Sequence, residues 1–245
     1  MRRSHMRVST AAALAACTIG GLSACSAVGR KTFEDDAEVP RRIASIRLDN
    51  RDGNVKVDSS ADVSTISVHR RVHYRGDKPS GTSFHITDGV LTLSGCGEDC
   101  GVDYVVKVPA GLPVTGGTSN GDLRLIGTGA VDVRTKNGGI VVADATGPVR
   151  LRTSNGDVDV RKATGGGIDT QTSNGEVTIR TATPQNVRAR TTSGNLTLTA
   201  PPARYRVSAD DSNGDKNVAF SDEPSGEYRL ELATTNGDLT VRRAA

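Results

Sequence analysis

The stretch Thr153-Ser154-Asn155-Gly156-Asp157-Val158-Asp159-Val160 decides how this chain folds, because it recurs. TSNGDLRL starts at Thr118, TKNGGIVV at Thr135, TSNGEVTI at Thr172, TSGNLTL at Thr192, DSNGDKNV at Asp211 and TTNGDLTV at Thr234. The glycines Gly121, Gly138, Gly156, Gly175, Gly194, Gly214 and Gly237 follow one another at 17, 18, 19, 19, 20 and 23 residues. A fixed period of this length is the signature of a stacked repeat.

Each unit carries two short alternating segments. Leu123 and Leu125 face one way while Asp122 and Arg124 face the other, and Val131 and Val133 alternate with Asp132 and Arg134. The pattern returns at Val149/Leu151, Val158/Val160, Val177/Ile179, Leu196/Leu198, Tyr205/Val207, Tyr228/Leu230 and Leu239/Val241. A period of two over four to six residues describes half-buried strands, and no window shows a helical period. Asn-Gly supplies turns because both residues tolerate positive φ. Isolated, it signals a hairpin. At a regular spacing it favours coils stacked in parallel, each strand pairing with its equivalent one coil away. The expectation is an all-β chain: a single-chain β-solenoid over residues 116–243, parallel β-helix or β-roll-like, with about 17–23 residues per coil. Stacked about 4.8 Å apart, Asn120, Asn137, Asn155 and Asn174 would join their amides in a ladder.

Upstream the pattern is looser. Residues 43–115 read as an N-terminal β segment whose later strands, around Phe84–Ile86, Val90–Leu93 and Val102–Val108, look antiparallel. Cys96 and Cys100 flank a Gly-bounded turn there and are expected to form a small disulfide, the default for such a pair outside the cytoplasm.

Residues 1–24 read as a signal peptide: Arg2, Arg3 and Arg7, an Ala-rich apolar stretch, then Leu22-Ser23-Ala24-Cys25. Leu-Ser-Ala-Cys resembles a bacterial lipobox, which implies acylation of Cys25 and cleavage before it. Leu14-Ala15-Ala16-Cys17 fits the same pattern, but cutting there would leave an apolar Thr18–Leu22 tail on the product. The expected place is the outer face of the bacterial cytoplasmic membrane, held by the N-terminal lipid. Residues 25–42, with Glu34-Asp35-Asp36, read as a polar tether. The segment before Cys25 holds three Arg and no acid, so the rest balances 28 basic against 28 acidic residues. That neutrality gives no reason to invoke nucleic acid. With no Trp, three Phe and four Tyr, the chain suits a narrow aliphatic core repeated many times.

Together the lipobox, the segment Val102–Gly111 (VDYVVKVPAG) and the Asn-Gly array resemble the bacterial "β-strand repeat" putative-adhesin family, a domain of unknown function, over roughly residues 43–243. The resemblance implies a β-solenoid and supplies no catalytic residue and no cofactor.

Chemistry-bearing residues are few. All four His lie at or before His85 and the last Cys is Cys100, so the array can hold no Ser-His-Asp or Cys-His site. His69 and His73, four residues apart on a strand, stand about 13 Å apart, too far for one metal. Asp122, Asp157, Glu176, Asp215 and Asp238 follow their repeat glycines and are read as turn-stabilising carboxylates rather than calcium ligands. The adjacent acidic pair Asp210-Asp211 reads as part of a turn, so no metal and no catalytic residue is expected. On the second strand of each coil the outward positions include Arg134, Arg150, Arg152, Arg188, Arg190, Arg206 and Arg229. In register they would line one face, a candidate surface for phosphates or carboxylates, unless Asp132, Asp169 and Glu231 neutralise them across neighbouring strands. The functional expectation is a non-catalytic, lipid-anchored envelope protein, an adhesin or binding scaffold for an envelope polymer. The alternatives are an accessory lipoprotein positioning another envelope protein and, more remotely, a polysaccharide-active β-helix enzyme.

Overall fold

The computed structural model describes residues 29–39 and 42–244, and the signal-peptide and lipobox readings, Cys25 included, lie outside them. The described chain is built of strands. The first seven are β1 (Lys31–Val39), β2 (Ser45–Asp49), β3 (Val55–Ser60), β4 (Ile66–Tyr74), β5 (Phe84–Thr87), β6 (Val90–Ser94) and β7 (Cys100–Pro109). Then follow β8 (Val114–Gly117), β9 (Leu123–Ile126), β10 (Val131–Arg134), β11 (Ile140–Ala143), β12 (Val149–Arg152), β13 (Val158–Ala163) and β14 (Ile168–Gln171). The last are β15 (Val177–Thr181), β16 (Val187–Ser193), β17 (Leu196–Ala200), β18 (Tyr205–Asn213), β19 (Lys216–Val218), β20 (Tyr228–Asn236) and β21 (Leu239–Arg243).

These strands form two sheets around one apolar core. Sheet A has 11 strands in the order β1-β4-β7-β3-β9-β11-β13-β15-β17-β21-β19; sheet B has 10, in the order β5-β6-β2-β8-β10-β12-β14-β16-β20-β18. One coil contributes a strand to each sheet, and successive coils pair in parallel, Val131 with Val149 and Ile140 with Val158. The solenoid read from the repeat is therefore present. Inward residues such as Leu125, Val133, Val142, Leu151, Val160 and Ile179 are at most 1% exposed. Their aliphatic side chains fill a thin core, each stroke of the alternation burying its β-branched or leucine residue.

The repeat's other letters make ladders along the axis. Asn137 Nδ2 donates to Asn120 Oδ1 at 2.8 Å, and Asn155 to Asn137 and Asn174 to Asn155 at 2.9 Å each. The buried Thr three residues before the repeat glycine donates to a glycine carbonyl of the neighbouring coil, as Thr153 does to Gly138 at 3.0 Å and Thr172 to Gly156 at 3.0 Å. Asp122 Oδ1 accepts the Gly139 N–H and Asp157 Oδ1 the Glu176 N–H, both at 2.8 Å. These carboxylates stabilise turns, as the sequence suggests.

Three expectations need correction. Residues 31–39 of the proposed tether form β1, antiparallel to β4. Its acids find partners there: Asp35 with Arg70, Glu34 with Arg71 and Asp36 with His69. Arg70 is only 6% exposed, and its guanidinium holds the Asp35 carboxyl below the usual carboxylate range, chiefly through their hydrogen bond. Next, the solenoid starts well before residue 116. β2 and β3 pair in parallel with β8 and β9, and β6 and β7 pair in parallel with β2 and β3. Antiparallel pairing is confined to β1–β4, β4–β7 and β5–β6. Finally, the last coils are not stacked in chain order. β20 and β21 insert between β16/β17 and β18/β19, so the final strand in sequence is an interior one.

The aromatic residues mark both ends of the stack; residues 105–204 contain none. Phe33 packs on Tyr74 with centroids 5.9 Å apart, and Tyr205 packs on Phe220 at 4.9 Å and on Tyr228 at 6.0 Å. An end coil has a neighbour on one side only, so it needs bulk that the middle coils do not. Cys96 and Cys100 lie near the first end at disulfide-bonding distance, with Cα atoms 5.6 Å apart.

Candidate binding face

The seven arginines singled out in the sequence all fall on the outer face of sheet B, on β10, β12, β16, β18 and β20. The strand register sorts them. Asp132, Arg150, Asp169, Arg188 and Glu231 form one row across successive strands. Arg134, Arg152, Gln171 and Arg190 form a second, two residues further along each strand. Arg206 and Arg229 face each other at the start of β18 and β20.

The first row is largely self-neutralised. Arg150 reaches Asp132 and Asp169 at 3.6 Å each, and Arg152 reaches Asp169 at 3.3 Å. Glu231 lies 3.0 Å from Arg229 and 3.6 Å from Arg188. These side chains are about half exposed, where an ion pair contributes about 0–1 kcal/mol. Their effect is to alternate acceptors and donors along a fixed line. Arg134, Arg190 and Arg206 make no ion pair among the described residues.

Beside this row runs an open trough of about 610 Å³. Ala130, Pro148, Gly166, Gly167 and Asn186 line it, and Arg206 and Arg229 stand at one end. The small residues keep it clear. At Gly166, with φ +84°, a Cβ would come within 2.6 Å of the Pro148 ring, so a larger residue there would force the wall apart. The sequence reading missed this trough. The run Gly165-Gly166-Gly167 was its one visible sign, since three successive glycines between strands are more than a turn requires.

The remaining chemistry-bearing residues lie elsewhere. Among the described residues, no three His, Cys, Asp or Glu side chains cluster as metal ligands would. His69 and His73 share an outward face of β4, but each is engaged by a carboxylate, Asp36 and Asp103 respectively, at 2.9 Å. His85 sits on β5 in the other sheet. Asp210 and Asp211 lie at the end of β18, where Asp211 Oδ1 accepts the Asn213 N–H at 3.1 Å, an Asx-type turn contact.

Residues 38–242 match the model of the Toastrack DUF4097 family. No curated protein matches the chain. Among solved structures it is similar to a "putative adhesin" from Parabacteroides distasonis ATCC 8503, with 14% identity, a TM-score of 0.45, and coverage of 87% of this chain and 97% of that one. It is also similar to a "putative cell adhesion protein" from Clostridium sporogenes ATCC 15579, with 13% identity, a TM-score of 0.37, and coverage of 87% and 100%.

Proposed function

The chain belongs to the Toastrack DUF4097 family, and from that premise we propose that it is an exported, non-catalytic binding protein that holds an envelope polymer on the outer face of sheet B. The trough carries this reading. It is a concave strip on a rigid sheet, floored by backbone and small side chains and walled by alternating charged groups. Asp132, Asp169 and Glu231 are each ion-paired with arginine, an arrangement suited to holding a ligand by hydrogen bonds rather than to proton transfer.

The lipid anchor belongs to the same proposal. Cys25 precedes the first residue of β1, Lys31, by a short link, and acylation there would hold the N-terminal end of the stack near the outer face of the cytoplasmic membrane. Cys25→Ser should move the protein from membranes to the medium. If Cys25→Ser stays with the membrane while Cys17→Ser is released, the lipobox is the earlier one.

Binding is tested by immobilising the mature chain and offering purified cell-wall polymers and solubilised membrane proteins separately. Retention of a polymer is the expected result. Retention of a membrane protein alone would instead favour an accessory role, and retention of neither would overturn the binding reading.

A further inference from the structure

At the end of the trough nearest β18 the balance of charges fails. Arg188, Arg206 and Arg229 all line it there, together with two carboxylates, Glu227 and Glu231. Glu231 is already shared between Arg188 and Arg229. Glu227 makes no ion pair among the described residues, and its carboxylate pushes the pKa of the adjacent Tyr228 phenol up. Arg206 has no ion pair among the described residues, and its Nε is buried without a hydrogen-bond partner. Its neighbour across the β18–β20 pairing is Arg229, a like charge directly opposite. Two cations therefore face each other at the edge of the trough, and an oxyanion between their guanidinium groups would offset that repulsion.

The rest of the trough indicates what carries that oxyanion. From Thr115 on β8 to Arg206 on β18 it crosses a succession of strands about 4.8 Å apart, about 29 Å in all. Along it Asp132, Arg150, Asp169, Arg188 and Glu231 alternate in sign. A polyanion would meet Asp132 and Asp169, and a polycation would meet Arg150 and Arg188. A hydroxyl both donates and accepts, so a polyhydroxylated neutral chain satisfies both kinds of group in turn. We propose that the Arg188–Arg206–Arg229 corner binds the carboxylate or phosphate of an otherwise neutral glycan chain lying along the trough. The proposal rests on the binding reading above and narrows its ligand.

The test is calorimetric titration of the mature chain with 3′-sialyllactose, lactose 1-phosphate, lactose and trigalacturonic acid. One of the first two should bind at least tenfold more tightly than lactose and more tightly than the polyanion, and which one does so identifies the oxyanion as carboxylate or phosphate. Arg206→Gln should weaken that binding at least tenfold, and Arg206→Lys, which keeps the charge but loses the fork, should fall between. Arg124→Gln, on the outer face of sheet A, should change it less than twofold. Thermal melts within about 2 °C of wild type would confirm that the variants fold. The proposal is overturned if lactose binds equally well, if neither charged sugar binds, or if Arg124→Gln and Arg206→Gln weaken binding alike. Retention of a wall polymer by both wild type and Arg206→Gln would refute this corner while leaving the binding reading intact. Loss of all polymer retention, with sialyllactose binding still dependent on Arg206, would do the reverse.

Discussion

Asp157 Oδ1 accepts the backbone N–H of Glu176 from the next coil at 2.8 Å. The same contact recurs along the stack, with Asn54 serving Asp122 and Asn195 serving Asp238, both at 2.8 Å. It shows why the residue after the repeat glycine is so often Asp or Asn: that side chain closes the turn of its neighbour, not its own. Among the described residues Glu176 makes no such bond to Asn195, and Gly139 leaves a gap because it has no side chain to offer Asp157.

Filling that gap should stabilise the protein. A Cβ on Gly139 would meet Asp157 O at 3.4 Å, an ordinary contact, and its φ lies outside the left-handed range. Gly139→Asn should therefore add about 1 kcal/mol, from one hydrogen bond and a less flexible unfolded chain. Gly156→Ala should do the opposite. Its φ is +154°, and a Cβ there would lie 2.0 Å from Gly138 O, so a loss of about 3 kcal/mol is expected. Urea denaturation of both variants checks the pair, and equal effects would contradict the ladder account.

The two faces of a strand should respond oppositely to charge. Val160 is 0% exposed, and Val160→Asp would bury an unpaired carboxylate, at a loss of several kcal/mol. Asp159 faces outward and pairs with Arg161, so Asp159→Val should change stability by about 0.5 kcal/mol. Hydrogen exchange on Val160→Asp should show neighbouring coils loosened and distant ones protected, because each coil leans only on its neighbours.

Much of this was legible in the sequence, and the reason is the range of the interactions. Alternation at Val158/Val160 and the Asn-Gly turns are local, so they announce strands, turns and period directly. The partner of a coil is not local. Asn213-Gly214 and Asn236-Gly237 carry the same motif, and nothing in either says that β20/β21 lies inside β18/β19. Likewise Glu34-Asp35-Asp36 reads as a solvated charge run until β4 brings Arg70, Arg71 and His69 alongside. The trough is a property of register among many coils, which is why the arginines could be named in advance but not sorted into paired and unpaired.

The N-terminal end of the stack should be sensitive to alkali. Tyr104 is 1% exposed, its phenol donates to the Ser94 carbonyl at 2.7 Å, and burial pushes its pKa up to about 12. In the unfolded chain a tyrosine ionises near 10. Between those values the unfolded state releases a proton that the folded state keeps. The stability contributed by the neutral phenol is therefore fully present below about pH 10 and is lost as the pH rises towards about 12, on the order of 3 kcal/mol in all. In denaturant titrations at pH 9 and pH 11, the advantage of wild type over Tyr104→Phe should shrink at the higher pH. A gap that widens would show the sign to be wrong.

The most direct test of the central claim, that the outer face of sheet B is the binding face, is backbone chemical-shift mapping. The unlipidated chain beginning at Ser26 retains every described residue and can be titrated with purified envelope polymer. The account predicts shifts concentrated on Thr115, Asp132, Arg150, Asp169, Arg188 and Arg229, which share the trough. Thr178, Thr197 and Thr240, in register on the outer face of sheet A, should stay in place. Shifts centred on those threonines, with the trough residues unmoved, would contradict it.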